Sequence, residues 1–175
     1  MDLSKIHCLT ITYAGISNRI ICSVQINFAE SLISPGENLI RENCIAVWDT
    51  GATNSGITEL AAQKLKLAPI GRKKVSGLGG TIEKNTYIID IILPNNVRFP
   101  NVAVTEIENP IDENGKKVDV FGILLGMDII GAGDFTVTNF EGKTVMSFRI
   151  PSQLTVNYVE EWNRRKSVME KYKRR

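Results

Sequence analysis

Through the first 150 residues apolar side chains return at every second position in one segment after another, and this alternation commits the chain to sheets. Ile6, Cys8 and Thr10 mark a first strand over residues 6–13. Ile20, Cys22, Val24, Ile26 and Phe28 mark a second over 20–28, with Ala14 to Asn18 as the turn between them. Ser34-Pro35-Gly36-Glu37-Asn38 reads as a loop, and Cys44 to Trp48 as a short buried strand that stops abruptly at Asp49-Thr50-Gly51-Ala52. Helical spacing appears with clarity once in this body. Thr58 is placed to cap a helix, Glu59 suits its first turn, and Leu60, Ala61, Lys64, Leu65 and Leu67 extend it over about ten residues before Pro69 and Gly71.

A second group of strands follows. Lys74 to Leu78 and Thr81 to Leu93 form a long hairpin tipped by Gly77-Leu78-Gly79-Gly80, and Asn101 to Glu106 adds another strand. Residues 108–117 are a solvated loop. Phe121 to Leu125 is strongly apolar and runs into Gly126-Met127-Asp128, a short helical turn through Ile130. Phe135 to Asn139 and Thr144 to Arg149 pair across Phe140-Glu141-Gly142-Lys143. The fold class expected is all-β, or mainly β, with one or two short helices.

The remaining composition narrows function mostly by exclusion. At 175 residues and 43% hydrophobic the chain can bury one complete core, and residues 1–159 read as one domain. Residues 160–175 carry seven Lys or Arg and three Glu, and are expected to form a basic terminal helix or tail. A net charge of +2 with two Trp does not nominate nucleic acid, although the tail leaves an anionic contact as a lesser alternative. No apolar stretch is long enough for a membrane helix, so no membrane insertion is expected. The opening Met-Asp-Leu-Ser-Lys lacks an unbroken signal core, which points to the cytoplasm. Cys8, Cys22 and Cys44 are widely spaced and His7 is the one histidine, so a zinc site, a disulfide framework and a His-based relay all lack parts. The three thiols read as buried or half-buried in a reducing compartment.

Three features occur in a set order: an apolar strand ending in Asp49-Thr50-Gly51-Ala52, the hairpin with Gly77-Leu78-Gly79-Gly80 at its tip, and Ile123-Leu124-Leu125-Gly126-Met127-Asp128. Together they resemble the retropepsin-like aspartic proteases, over about residues 20–150. The resemblance implies a closed or partly closed barrel with a flap hairpin, and peptide hydrolysis without metal or cofactor. In that chemistry one carboxylate deprotonates water while a second carboxyl, about 3 Å away and sharing a proton with it, assists the carbonyl. The chain has a single Asp-Thr-Gly, so similarity to the family assigns the second carboxyl to Asp49 of another copy, making a homodimer that cleaves extended polypeptide. Thr50 is then expected to hydrogen-bond main chain across the two-fold, with Gly51 permitting close approach. Ala52 offers the dyad no side-chain hydrogen bond, which suits activity at mildly acidic to near-neutral pH. Residues 77–80 would be the flap, and Gly126 would allow a tight pass beside the Asp49 loop.

Two positions depart from the retroviral pattern. Where retroviral members commonly carry an Asp and an Arg in an internal ion pair, this chain has Thr53 and Met127. Both charges are absent together, which leaves the fold credible because an unpaired buried charge is what costs about 3 to 5 kcal/mol. Trp48 reads as core or dimer packing, with a substrate-pocket role as the alternative. A retropepsin-fold binding or assembly module without proteolysis is the alternative from another functional class, since fold alone does not dictate chemistry.

Overall fold

The alternation in sequence becomes a barrel because one long strand pairs on both sides. The computed structural model describes residues 5–34, 36, 38–77 and 80–173. The strands are β1 (His7–Thr12), β2 (Ile21–Phe28), β3 (Arg41–Trp48), β4 (Gly56–Thr58), β5 (Gly71–Gly77), β6 (Gly80–Ile92), β7 (Arg98–Ile107), β8 (Ile123–Leu125), β9 (Asp134–Thr138) and β10 (Val145–Ile150). The helices are α1 (Glu59–Lys64), α2 (Met127–Ile130) and α3 (Tyr158–Lys173). In the larger sheet β2, β3, β8, β4, β7 and β6 are bonded in that order. Residues Ile89–Ile92 of β6 then pair with Gln25–Phe28 of β2, closing the ring. Closure removes free edges around the core. The other half of β6 leaves the ring and pairs with β5, from Gly71↔Thr86 to Gly77↔Gly80.

Inward residues along these strands form one core. Val24 and Ile26 of β2, Ala46 and Trp48 of β3, Ile89 and Ile91 of β6, Val104 of β7, and Ile123 and Leu125 of β8 are all buried. A bulge in β6 between Ile89 and Ile91 offsets its register with β7. The buried Asp90 sits there with its charge met: Oδ1 accepts from Asn101 N–H at 2.8 Å, and Oδ2 accepts from Glu30 N–H at 3.1 Å and from Arg98 at 2.7 Å. This ties the short turn at Glu30–Leu32 and the start of β7 to the barrel wall.

The smaller sheet, ordered β1, β10, β9 and antiparallel throughout, packs against one end of the barrel. Met146 and Phe148 of β10 are fully buried. The Trp48 ring stacks on Phe135 of β9 with centroids 5.4 Å apart and meets Phe148 at 5.1 Å, so one indole joins the two sheets. Its indole N–H also donates to Cys22 Sγ at 3.2 Å, and burial pushes the Cys22 thiol up in pKa. Burial, then the charges of Glu42 and Asp119, pushes Cys44 up to about 12, while Cys8 is exposed rather than buried.

Other differences from the sequence reading have local causes. The helix after Thr58 spans six residues instead of about ten. Thr58 Oγ1 does accept from Ala61 N–H as an N-cap, but Lys66 at φ 53° ends the helix and turns the half-buried Leu67 back toward the core. Strand β4 is too short to show a period, and β7 begins three residues earlier than alternation suggests. The side chains described along α3 are all exposed. Among the described residues no helix is long and apolar enough to cross a membrane.

The exit from the smaller sheet gives a pH prediction. Asp134 accepts from the Ser152 hydroxyl at 2.5 Å, from Gln153 N–H at 2.8 Å, and from Nε and Nη2 of Arg149 at 3.0 and 2.5 Å. These partners, the Ser152 and Gln153 bonds ahead of the Arg149 charge, hold its carboxyl well below the usual carboxylate range. A depressed folded-state pKa contributes stability that is complete above the unfolded value of about 3.9 and drains away as pH falls below it. In denaturant titrations Asp134→Asn is therefore expected to be less stable than wild type at pH 7, with the gap narrowing below about pH 4. A gap constant down to strongly acidic pH contradicts this.

Candidate active site

Strand β3 delivers Asp49 one residue beyond its last buried side chain, Trp48. The strand ends there because Asp49-Thr50-Gly51-Ala52 bonds to itself: Gly51 N–H donates to Asp49 Oδ1 at 2.9 Å, and Ala52 N–H to Asp49 O at 3.2 Å. Asp49 N–H reaches sideways to Leu125 O at 2.9 Å, at the end of the parallel neighbour β8. The tips of β3 and β8 are thereby locked side by side. Asp49 and Ala52 are half-buried, and Thr50 and Gly51 are exposed.

Gly126 follows β8 and passes directly beneath this loop. A Cβ at that position would lie 2.6 Å from the carbonyl carbon of Asn54 and 2.9 Å from Ala52 O, distances that no side chain can occupy against fixed backbone. Gly126→Ala must therefore push the loop away, and we expect a loss of about 1 to 3 kcal/mol in stability. Denaturant unfolding measures it, and a variant as stable as wild type would show that the loop yields without strain.

The same loop is held at its far end by Ser55, which sequence reading did not single out, and by Asp128, which it included in the third motif without giving it a role. Ser55, buried at 1% exposure, donates its N–H to Asp128 Oδ2 at 2.9 Å and its hydroxyl to Asp128 Oδ1 at 2.8 Å. Met127 N–H donates to Ala52 O at 2.8 Å. The only sequence hints were a lone serine before the buried Gly56-Ile57-Thr58 and an acid in the first turn of α2. Their separation of 73 residues hides the partnership. Thr53 and Met127 flank this contact without charge.

Residues 42–129, half of the chain, match the family model described as aspartyl protease. The chain belongs to the aspartyl protease family. It is also similar to a solved retropepsin-like aspartic protease from Rickettsia conorii, at 15% identity and a TM-score of 0.47, over 83% of this chain and 96% of that one. No curated protein sequence matches it.

Within this aspartyl protease family member, the expected site residues fall into two groups. Asp49, Thr50, Gly51, Ala52 and Gly126 come together at the joined ends of β3 and β8. The hairpin residues Gly77 and Gly80 pair at the end of β6 that extends beyond the ring. Leu78 and Gly79 lie outside the described residues. The hydrogen bonds that hold the Asp49 loop run to β8, to α2 and, through Ser55 O and Thr105 N–H at 3.2 Å, to β7. Among the described residues no three His, Cys, Asp or Glu side chains gather as metal ligands would.

Proposed function

We propose that this protein is an aspartic endopeptidase in which Asp49 of two identical subunits forms the water-activating pair. The observation that carries the reading is the Asp49 loop itself. A half-buried carboxylate stands at the end of a core strand, with one oxygen held by a main-chain N–H and the loop pinned at both ends, in a chain of the aspartyl protease family. The other acid that touches this loop, Asp128, spends both oxygens on Ser55 and is not free to serve as the partner carboxyl.

In the mechanism proposed, two Asp49 carboxyls meet at a two-fold axis and share one proton, because two like charges about 3 Å apart cannot both remain ionised. The ionised member takes a proton from water as that water attacks the scissile carbonyl carbon. The protonated member hydrogen-bonds the carbonyl oxygen and gives it the proton as the gem-diol forms. Collapse of that intermediate, with proton transfer to the leaving nitrogen, breaks the C–N bond and restores the shared proton. Thr50 and Gly51, exposed in the single chain, supply the contact surface between the two loops. The hairpin of β5 and β6 closes over an extended polypeptide, which gains main-chain hydrogen bonds as an added strand and is shielded from bulk water. Cleavage of a diverse peptide library by wild type and its absence in an Asp49 variant test the reading. Binding of unfolded chains without cleavage by wild type would instead favour a binding module.

A further inference from the structure

We infer that Asp128 is a positioning residue for Asp49, acting through Ser55; the inference rests on the reading of Asp49 as the acid/base group. Asp128 lies in the first turn of α2, where an acid commonly does no more than complement the helix start. Here it does more. Its Oδ1 accepts from its neighbour Ile129 N–H at 3.0 Å as well as from the Ser55 hydroxyl, while Oδ2 accepts from Ser55 N–H. The Ser55 hydroxyl in turn accepts from Gly126 N–H at 3.1 Å, in the segment whose neighbour Leu125 O receives Asp49 N–H. A closed circuit thus runs from Asp49 through Leu125 and Gly126 to Ser55 and Asp128, and back along the loop to Asp49.

Three donors converge on one side chain, and a carboxylate has acceptor sites for all of them. An amide at 128 would turn an NH2 toward either the Ser55 N–H or the Ile129 N–H, replacing one attraction with a donor facing a donor. Charge-assisted bonds of this kind are about twice as strong as neutral ones. The main-chain bonds from Met127 N–H to Ala52 O and from Thr105 N–H to Ser55 O also hold this loop, and the clasp adds the side-chain bonds that fix its Ser55 end, and through the circuit the position of the Asp49 carboxyl. A displacement of about 1 Å in a reacting group is enough to lower turnover about 100-fold.

The test compares wild type, Asp49→Asn, Asp128→Asn, Ser55→Ala and Ser55→Thr as full chains, in peptide cleavage and in amide hydrogen exchange by NMR. Asp128→Asn and Ser55→Ala should lower kcat by about 10- to 100-fold with KM and the dimer fraction little changed, and Ser55→Thr, which keeps the hydroxyl, should recover most of the loss. In both impaired variants the amides of Gly51, Ala52 and Ser55 should exchange about 10-fold faster, while those of β2 and β7 hold their wild-type rates. Should Asp128→Asn fail to fold, the Ser55 pair carries the test alone. Unchanged kcat in the folded variants overturns the inference, as does a kcat loss matched by lost dimer or by faster exchange throughout the barrel. If Asp49→Asn itself still cleaves, the underlying reading fails first, and the exchange rates then show separately whether the clasp holds the loop.

Discussion

Asp49→Asn is expected to remove peptide cleavage, lowering kcat by at least about 1,000-fold with the fold retained. An amide can neither take the proton from water nor share one with its counterpart, so both halves of the proposed chemistry are lost in one substitution. The fold has little reason to change. The side chain is half-buried, and the asparagine carbonyl can still accept the bond that Gly51 N–H donates to Oδ1. The measurement is cleavage of a fluorogenic peptide library, with circular dichroism and thermal unfolding confirming that the variant is folded. Cleavage within about tenfold of wild type would eliminate Asp49 as the acid/base residue.

The second large effect comes from mixing subunits. If each working site needs two intact Asp49 carboxyls, adding an equal amount of Asp49→Asn chains after subunit exchange should cut wild-type activity to about half, and a tenfold excess to about a tenth, as mixed dimers form statistically. Dilution acts in the same direction: below the dissociation constant, activity per chain should fall in proportion to concentration. Sedimentation at matched concentrations tells exchange apart from instability. Activity indifferent both to added variant and to dilution, in particles the size of one chain, is incompatible with a site shared across a two-fold.

Much of this architecture could be read from residue order because the relevant signals are local. Alternation in Cys22, Val24 and Ile26 reports which face of β2 meets the core, and Thr58 with Glu59 announces the start of α1, since each depends on neighbours a few residues away. Asp49 was legible for the same reason, as a polar break at the end of an apolar strand. The length of α1 was not, because the turn at Lys66 answers to the packing of Leu65 and Leu67 rather than to helix preference. Strand β4 escaped because three residues have no period to detect.

By itself, then, the sequence determined the β class, the strand that ends in Asp49, the glycine-tipped hairpin and the family these belong to. Only the tertiary structure decided that β6 closes the ring onto β2, that Trp48 bridges the two sheets through Phe135 and Phe148, and that Ser55 and Asp128 clasp the Asp49 loop. Hydrophobic alternation tells a residue which way to face but is indifferent to which distant strand it faces. That choice is made by hydrogen bonds and close packing between segments that meet only once the whole chain has folded.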